Sequence, residues 1–155
     1  MGEALKKRLK QSKFQNSLQE ALLNLLVASG FLHELTEKIC SPFGITRVQY
    51  NLLRILRGVY PEGHPRCEIA ERMIERAPDV TRLIDRMETQ GLVERVPSKV
   101  DRRQSVTRIT KKGLDLLLKI PMERETHKFF GKRISKQDQL ELSRICERIY
   151  ENQNH

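Results

Sequence analysis

The residues with the clearest chemical potential in this 155-residue chain are the arginines and lysines of residues 95–112. Seven cations stand there against one carboxylate, Asp101, so the segment has a net charge of +6. These cations are Arg95, Lys99, Arg102, Arg103, Arg108, Lys111 and Lys112. Concentrated positive charge suits a polyphosphate surface, because neutralising phosphates releases their condensed counterions. The alternative is a solvated face that only keeps the protein in solution.

Two further arginines stand just upstream, in a segment that predicts a helix over residues 77–90. The apolar stripe of this helix consists of Val80, Leu83, Ile84 and Met87. Arg82 and Arg86 are one turn apart and point away from the stripe, with Asp79 beside them. Pro78 suits the first turn, where its missing N–H costs nothing. The pattern leaves two alternatives for Arg86: contact with a partner, or a local ion pair with a neighbouring aspartate.

Residues 1–15 hold a second basic patch. Five cations against Glu3 give this arm a net charge of +4, which leaves −1 for all residues outside the two patches. The positive charge of the chain is therefore concentrated in two segments. The sequence leaves open whether the arm grips phosphate, lengthens the helix that follows or does neither.

Apolar periodicity and capping signals predict the elements that carry these residues. Residues 14–39 predict a long helix that ends before Pro42. Thr46 and Gln49 form a capping box that starts a second helix. A short third helix is predicted over residues 66–73.

A hairpin is predicted downstream of the helix that carries the two arginines. Residues 92–97 and 104–109 are rich in β-branched side chains and are separated by a polar connector, which predicts two strands with a long tip. Thr110 caps the next helix, Pro121 ends or bends that helix, and Ser135 starts the last one.

This order of elements is that of a winged helix-turn-helix, a mainly α fold with a small β-hairpin wing. A recognition helix fits the major groove of DNA and presents side chains to base edges. A basic hairpin tip can reach the flanking minor groove, where narrow A·T-rich stretches attract inserted arginine.

Several short motifs resemble those of the MarR family of bacterial transcription regulators. Residues 80–88, VTRLIDRME, followed by the Gly-Leu-Val of 91–93 and by Arg95, are similar to the family's recognition-helix signature. Residues 101–103, Asp-Arg-Arg, and 109–113, Ile-Thr-Lys-Lys-Gly, resemble its wing and the step into its fifth helix. The resemblance runs from about residue 16 to 152.

The resemblance implies a single MarR-like domain over residues 1–155 that forms an obligate homodimer on a pseudo-palindromic operator in double-stranded DNA. Residues 46–112 would be the winged DNA-binding unit. Residues 16–44 and 114–152 would be the dimerisation helices, and residues 1–15 a basic N-terminal arm. The apolar stripes predicted for the terminal helices fit this arrangement, although they equally fit packing within one chain.

The resemblance also implies which side chains of the recognition helix meet DNA. Thr81, Arg82 and Arg86 would face the major groove. Pro78 and Asp79 would lie at the start of the helix.

In the wing, Arg102 or Arg103 would enter the minor groove and Lys99 would contact phosphate. Asp101 would act as a positioning residue, because a carboxylate that faces phosphates is repulsive unless it holds an arginine. We therefore expect a cytoplasmic transcription regulator.

Regulators of this family are more often repressors, and many respond to small aromatic ligands or oxidants. We expect an effector cleft between the dimerisation helices and the winged unit, with His33, Tyr50 and Arg54 as its polar residues. An effector would release the operator by favouring an arrangement of the two winged units that cannot span both half-sites.

Functions of other classes stay open as alternatives. The chain could be a winged-helix adaptor for proteins that does not read DNA, or a thiol-based redox sensor that acts through Cys40 or Cys67. RNA binding is a lesser alternative, because aromatic stacking platforms are lacking. We expect no enzymatic activity, no metal and no cofactor, since the histidines are dispersed and no nucleophile or phosphate-binding motif appears. No apolar run approaches the ~18–20 residues of a membrane span.

Overall fold

The computed structural model describes residues 2–76 and 79–151, and the chain divides into two units after Ile120. The first unit contains helices α1 (Glu3–Leu9), α2 (Ser17–Cys40), α3 (Arg47–Arg57), α4 (Arg66–Arg72), α5 (Val80–Thr89) and α6 (Lys111–Lys119). Between α5 and α6 lie the antiparallel strands β1 (Val93–Pro97) and β2 (Ser105–Ile109). The second unit contains α7 (Met122–Phe130) and α8 (Lys136–Tyr150). A mainly helical fold with one small hairpin was the prediction, and it is confirmed.

All three capping residues singled out in the sequence start helices, and Thr46 and Ser135 do so as capping boxes. At α3 the hydroxyl of Thr46 accepts a hydrogen bond from the Gln49 N–H, and the Gln49 side chain accepts one from the Thr46 N–H. At α8 Ser135 and Asp138 form the same reciprocal pair. Each box satisfies N–H groups that a helix otherwise leaves without partners, which fixes the residue at which the helix begins.

The core of the first unit is built around α3. This helix packs against α2, α4, α6 and β2. Its side chains Leu52, Leu53 and Leu56 are fully buried. Burying a leucine contributes on the order of 1.5–3 kcal/mol, so α3 anchors the elements around it. Further fully buried side chains come from α4, α5 and the two strands: Ile69, Ile84, Met87, Val93 and Ile109.

The hairpin lies beside a short extended segment that the sequence did not indicate. In the register of β1 and β2, Val93 lies opposite Ile109. On the other edge of β2, the N–H of His64 donates to the Thr107 carbonyl at 3.0 Å, and the Thr107 N–H donates back at 2.9 Å. A Cβ on Gly63 would lie 2.3 Å from the Thr107 oxygen, so glycine is required for this close approach. The base of the wing is therefore fixed to the loop before α4.

The basic N-terminal arm forms a helix of its own, α1. It does not lengthen the next helix: α2 begins at Ser17, three residues later than predicted, because the Asn16 side chain caps it. Leu5 of α1 is only 3% exposed, and the Arg8 guanidinium lies 5.9 Å from the centre of the Phe31 ring of α2. The arm therefore buries one apolar side chain and makes one cation–π contact with α2.

Apolar side chains are exposed along α2 in the first unit and along α8 in the second. On α2 these are Leu18, Leu22, Leu26 and Leu32; on α8 they are Leu140, Leu142, Ile145 and Ile149. Large contiguous apolar faces of this kind mark interaction surfaces. In the part of the chain that the structure describes, no helix combines the length and the apolar character that crossing a bilayer requires.

Candidate nucleic-acid interface

Helix α5 has one buried face and one cationic face. Val80, Ile84 and Met87 are buried, whereas Arg82 and Arg86 are exposed, as is Thr81. The Arg82 side chain is 78% exposed. The spacing of the arginines therefore places them on the solvent side, as predicted from the apolar stripe.

Asp79 starts this helix and holds one of its arginines. One carboxylate oxygen accepts a hydrogen bond from the Arg82 N–H at 2.9 Å, and the other lies 3.0 Å from the Arg82 Nε. Because Asp79 is the N-cap, α5 begins at Val80 and not at residue 77 as predicted. Pro78, which we also expected at the start of the helix, lies outside the described residues.

A salt-bridge cluster joins α5 to the wing. The Arg95 guanidinium of β1 donates to the carboxylates of Asp85 and Glu88 on α5, and its backbone N–H donates to Glu88 at 3.0 Å. The hydrogen bond to Asp85, followed by that to Glu88, raises the pKa of Arg95. Asp79 and Asp85 are thus both engaged elsewhere, and Arg86 makes no side-chain ion pair within the described ranges.

Lys112 and Gln49 support the C-terminal end of α5, a role that the sequence did not indicate. The Lys112 ammonium donates to the Gln90 carbonyl at 2.7 Å, and the Gln90 side chain accepts a hydrogen bond from Gln49 at 3.1 Å. A cation at the C-terminus of a helix is stabilised by the carbonyl groups that point there. The basic residues within 109–113 indicated positive charge in this segment. They did not indicate that Lys112 contacts the end of α5.

The tip of the wing is a tight polar turn. The Ser98 hydroxyl accepts hydrogen bonds from the N–H groups of Val100 and Asp101, and the Asp101 carboxylate accepts one from the Arg103 N–H at 2.9 Å. Asp101 therefore shapes the backbone of the tip and binds no guanidinium group among the residues that the structure describes. The side chains of Arg102 and Arg103 are exposed and form no ion pair with any described residue.

Lys99 has a partner in this structure. Its ammonium lies 2.8 Å from a carboxylate oxygen of Glu62, and both side chains are more than half exposed. An exposed ion pair of this kind contributes only about 0–1 kcal/mol, so a phosphate can replace Glu62 at little cost.

The residues predicted for an effector cleft are not brought together by polar contacts. The His33 Nε2 lies 2.8 Å from a carboxylate oxygen of Glu75. Tyr50 is half-buried and Arg54 is exposed one turn further along α3. Within the described residues, no hydrogen bond or ion pair joins His33 to either.

A groove of about 610 Å³ opens elsewhere in the first unit, between the 3-10 turn Ser41–Phe43 and α6, and its lining includes none of the three predicted effector residues. Its lining combines apolar side chains with three lysines and one aspartate: Phe43, Gly44, Ile45, Gln90, Leu92, Lys111, Lys112, Asp115, Leu116 and Lys119.

The two cysteines considered for redox sensing lie in different environments. Cys40 is fully buried, and burial raises the pKa of its thiol to about 11. The thiolate is the reactive form, so Cys40 is protonated and unreactive near neutral pH. Cys67 is exposed on α4.

Comparison with known proteins agrees with this arrangement. The sequence model of the MarR family matches residues 45–105. The MarR transcription factor of Planctomyces limnophilus is 37% identical, with a TM-score of 0.64, over 87% of this chain and 98% of that one.

Two more distant solved structures share the fold. CouR of Rhodococcus jostii RHA1, bound to p-coumaroyl-CoA, is 19% identical over 92% of this chain and 99% of its own, with a TM-score of 0.76. Sco3205, a MarR family transcriptional regulator of Streptomyces coelicolor in complex with DNA, is 18% identical over 93% of each chain, also with a TM-score of 0.76. No protein of curated function shows significant sequence similarity to the chain. The identity to the Planctomyces protein over nearly its whole length shows that this chain belongs to the MarR family.

Proposed function

We propose that this protein is a cytoplasmic, homodimeric transcription regulator that binds a pseudo-palindromic operator, and that it acts as a repressor released by a small-molecule effector. The observation that carries the proposal is the division of helix α5 into a buried face and a face with two exposed arginines. Beside that helix lies a wing whose tip carries two arginines, Arg102 and Arg103, that form no ion pair with a described residue. Charges that only keep the protein in solution would not need to be grouped on one helix face and one hairpin tip.

The cationic face of α5 suits the major groove. Arg82 and Arg86 can each approach a guanine, whose O6 and N7 accept both hydrogen bonds of a guanidinium group, and Thr81 lies on the same exposed side. A good bidentate pair discriminates between bases by about 1–3 kcal/mol. The arginines of α5 are therefore the residues we expect to read sequence.

The wing suits the flanking minor groove and the phosphate backbone. Arg102 and Arg103 extend from a tip whose shape Asp101 maintains through its bond to the backbone. Inserted arginine is favoured where A·T-rich DNA narrows the groove. Lys99, once released from Glu62, would add a phosphate contact without sequence information.

The exposed leucines of α2 and the exposed apolar side chains of α8 are the surfaces that we assign to dimerisation. Side chains such as Leu22, 47% exposed, and Ile145, 44% exposed, would be covered by the second subunit. Two recognition helices related by a two-fold axis match half-sites one turn of DNA apart, ~10 bp, on the same face of the duplex.

For the effector we keep His33, Tyr50 and Arg54 as the predicted contacts. The p-coumaroyl-CoA complex of CouR supports a small-molecule ligand for a chain of this fold. An effector shifts the protein to the released state only by as much as it prefers that state over the DNA-bound one.

The test is selection of bound sequences from a random duplex library, followed by affinity measurements on the enriched duplex. Arg82→Ala should cost about 1–3 kcal/mol and relax the base preference, whereas Lys99→Ala should weaken all sequences equally and lower the salt dependence. Lys38→Ala, which removes an exposed cation from α2, is the charge-matched control and should bind like the wild type.

Enrichment of no sequence, with uniform weak binding of all duplexes, would contradict the proposal and favour the adaptor function. Repetition of the selection with candidate ligands present tests the effector. Operator affinity that no aromatic acid or oxidant changes would refute that part alone.

A further inference from the structure

In the segment between α4 and α5, the carboxylate of Glu75 contacts side chains of two other helices. We propose that Glu75 is a positioning residue that fixes the recognition helix α5 relative to α2 and thereby sets the half-site spacing that the dimer accepts. This inference rests on the proposed function, because it assumes that α2 belongs to the dimer interface and that α5 reads DNA.

Glu75 binds side chains from two other helices. Both guanidinium Nη atoms of Arg47, the first residue of α3, donate to its two carboxylate oxygens, the longer bond being 2.9 Å. The Nε2 of His33, on α2, lies 2.8 Å from one of the same oxygens. A bidentate guanidinium–carboxylate pair fixes direction as well as distance, because both groups are planar. The turn is therefore oriented against α2 and α3 together.

Two neighbouring hydrogen bonds also connect the turn with α3, and α3 with α2. The Ile74 N–H, next to Glu75, donates to the Asn51 side chain of α3 at 3.0 Å. The Arg47 N–H donates to a Glu37 oxygen of α2 at 3.0 Å. The chain from α2 through the start of α3 to the turn is thus continuous.

Apolar burial does little to hold this turn. The Ile74 side chain is 84% exposed, and Met73 is the nearest buried side chain on the α4 side. Asp79, the cap of α5, follows Glu75 by four positions in the sequence, so the polar contacts of Glu75 and Asn51 belong to the segment that leads into the recognition helix. Without them, α5 keeps its packing against α4 and β1 and the hydrogen bonds of Gln90 at its other end, but the segment before it loses its polar link to α2.

The charges around Glu75 also favour its ionised form. The hydrogen bonds from Arg47, with smaller contributions from the charges of Arg47 and His33, lower the pKa of Glu75. The carboxylate is therefore ionised at neutral pH and neutralises the guanidinium group. Replacing it with an amide removes that charge and leaves the Arg47 guanidinium group without its anion.

A consequence for DNA binding follows from the geometry of a two-fold dimer. One base pair inserted between half-sites moves them apart by about 3.4 Å and rotates one relative to the other by about 35°. A dimer whose recognition helices are fixed to its interface helices rejects that change. A dimer whose helices have lost this fixation tolerates it, although the base contacts of each half-site are intact.

The experiment compares Glu75→Gln with the wild type on the selected operator and on versions with one base pair inserted or removed between the half-sites. The affinity of the wild type should fall about tenfold or more on the altered spacings, since one mismatched base pair in a site has an effect of about that size. Glu75→Gln should bind the original operator more weakly than the wild type. Its affinity should differ by no more than about threefold between the original and the altered spacings, because its recognition helices can adjust. Glu71→Gln, which removes an exposed carboxylate from α4, is the matched control and should discriminate like the wild type.

The inference is overturned if Glu75→Gln shows the same ratio of affinities for the original and the altered operators as the wild type. Its absolute affinity does not matter for this comparison. Failure of the wild type itself to select any operator overturns the proposed function instead, so the two failures are distinct. Should Glu75→Gln not fold, as shown by circular dichroism, His33→Ala removes the direct contact of Glu75 with α2 and leaves its contacts with Arg47. Relaxed spacing in that variant supports the inference, and unchanged spacing overturns it.

Discussion

Replacing Arg95 with methionine tests how firmly helix α5 is joined to the wing. Arg95→Met keeps the apolar stem of the side chain but removes the guanidinium group that binds Asp85 and Glu88. The two carboxylates then stand three residues apart on α5 without their cation. Both effects destabilise the folded protein.

The size of this effect follows from the exposure of the partners. The side chains of Arg95, Asp85 and Glu88 are 31%, 54% and 38% exposed, so solvent screens the pairs without removing them. A hydrogen bond to a charged group contributes about 1.5–3 kcal/mol when buried, and an exposed ion pair about 0.2–1 kcal/mol. Two half-exposed pairs therefore sum to about 1–2 kcal/mol of unfolding free energy.

The measurement is urea unfolding followed by circular dichroism, at one fixed protein concentration because a dimer unfolds in a concentration-dependent way. Arg108→Met is the matched control: Arg108 lies on β2, and its single partner, Glu94, is 46% exposed. The control should lose about 0.5 kcal/mol or less. Raising the salt concentration to about 1 M should reduce the loss in Arg95→Met, since screening weakens charge pairs. Equal losses in the two variants, or no loss in Arg95→Met, would refute the assigned link between α5 and the wing.

Three further predictions concern stability, thiol reactivity and assembly. The pKa of Glu75 is lowered from its ordinary value of 4.5, so its contribution to stability is complete above that value and is lost as the pH falls through the folded-state pKa. The difference in unfolding free energy between wild type and Glu75→Gln should therefore be constant near neutral pH and shrink below pH 4.5; a difference that grows on acidification contradicts the contact. A thiol-reactive dye at neutral pH should label the exposed Cys67 and leave Cys40 unlabelled until the protein unfolds, and rapid labelling of Cys40 would show that it is not buried. Leu22→Asp and Ile145→Asp should each convert the dimer to monomers in sedimentation experiments, with Lys38→Asp as the control, because a carboxylate cannot be buried there without a partner; persistence of dimers in both would show that these faces are not the interface.

Local signals in the sequence predicted the parts of the fold that depend on neighbouring residues. The capping boxes at Thr46 and Ser135 gave the starts of α3 and α8. The β-branched runs gave both strands of the wing, with β1 and β2 each one residue shorter than predicted. The outward direction of Arg82 and Arg86 followed from the apolar stripe of α5, since a buried face fixes the opposite face of a helix.

Features that depend on distant residues were not predictable from one sequence. The apolar content of α1 is too low for a clear stripe, and the helix is held by the burial of Leu5 in the folded protein. The pairing of His64 with Thr107 and the contact of Arg47 with Glu75 join residues 43 and 28 positions apart. Sequence spacing carries no information about such pairs, so the real partner of His33, a carboxylate in the turn before α5, could not be anticipated.

The central claim, that the exposed face of α5 reads bases, is tested most directly by selecting duplexes in parallel with the wild type and with Arg86→Ala. Arg86 has no competing ion pair within the described residues, so its loss should act on DNA contact alone. We predict a palindromic motif for the wild type, with half-site centres ~10 bp apart. The variant should lose its preference at one base position, in both half-sites symmetrically, and keep the rest of the motif. An identical motif from both proteins would contradict the assignment of α5 as the recognition helix.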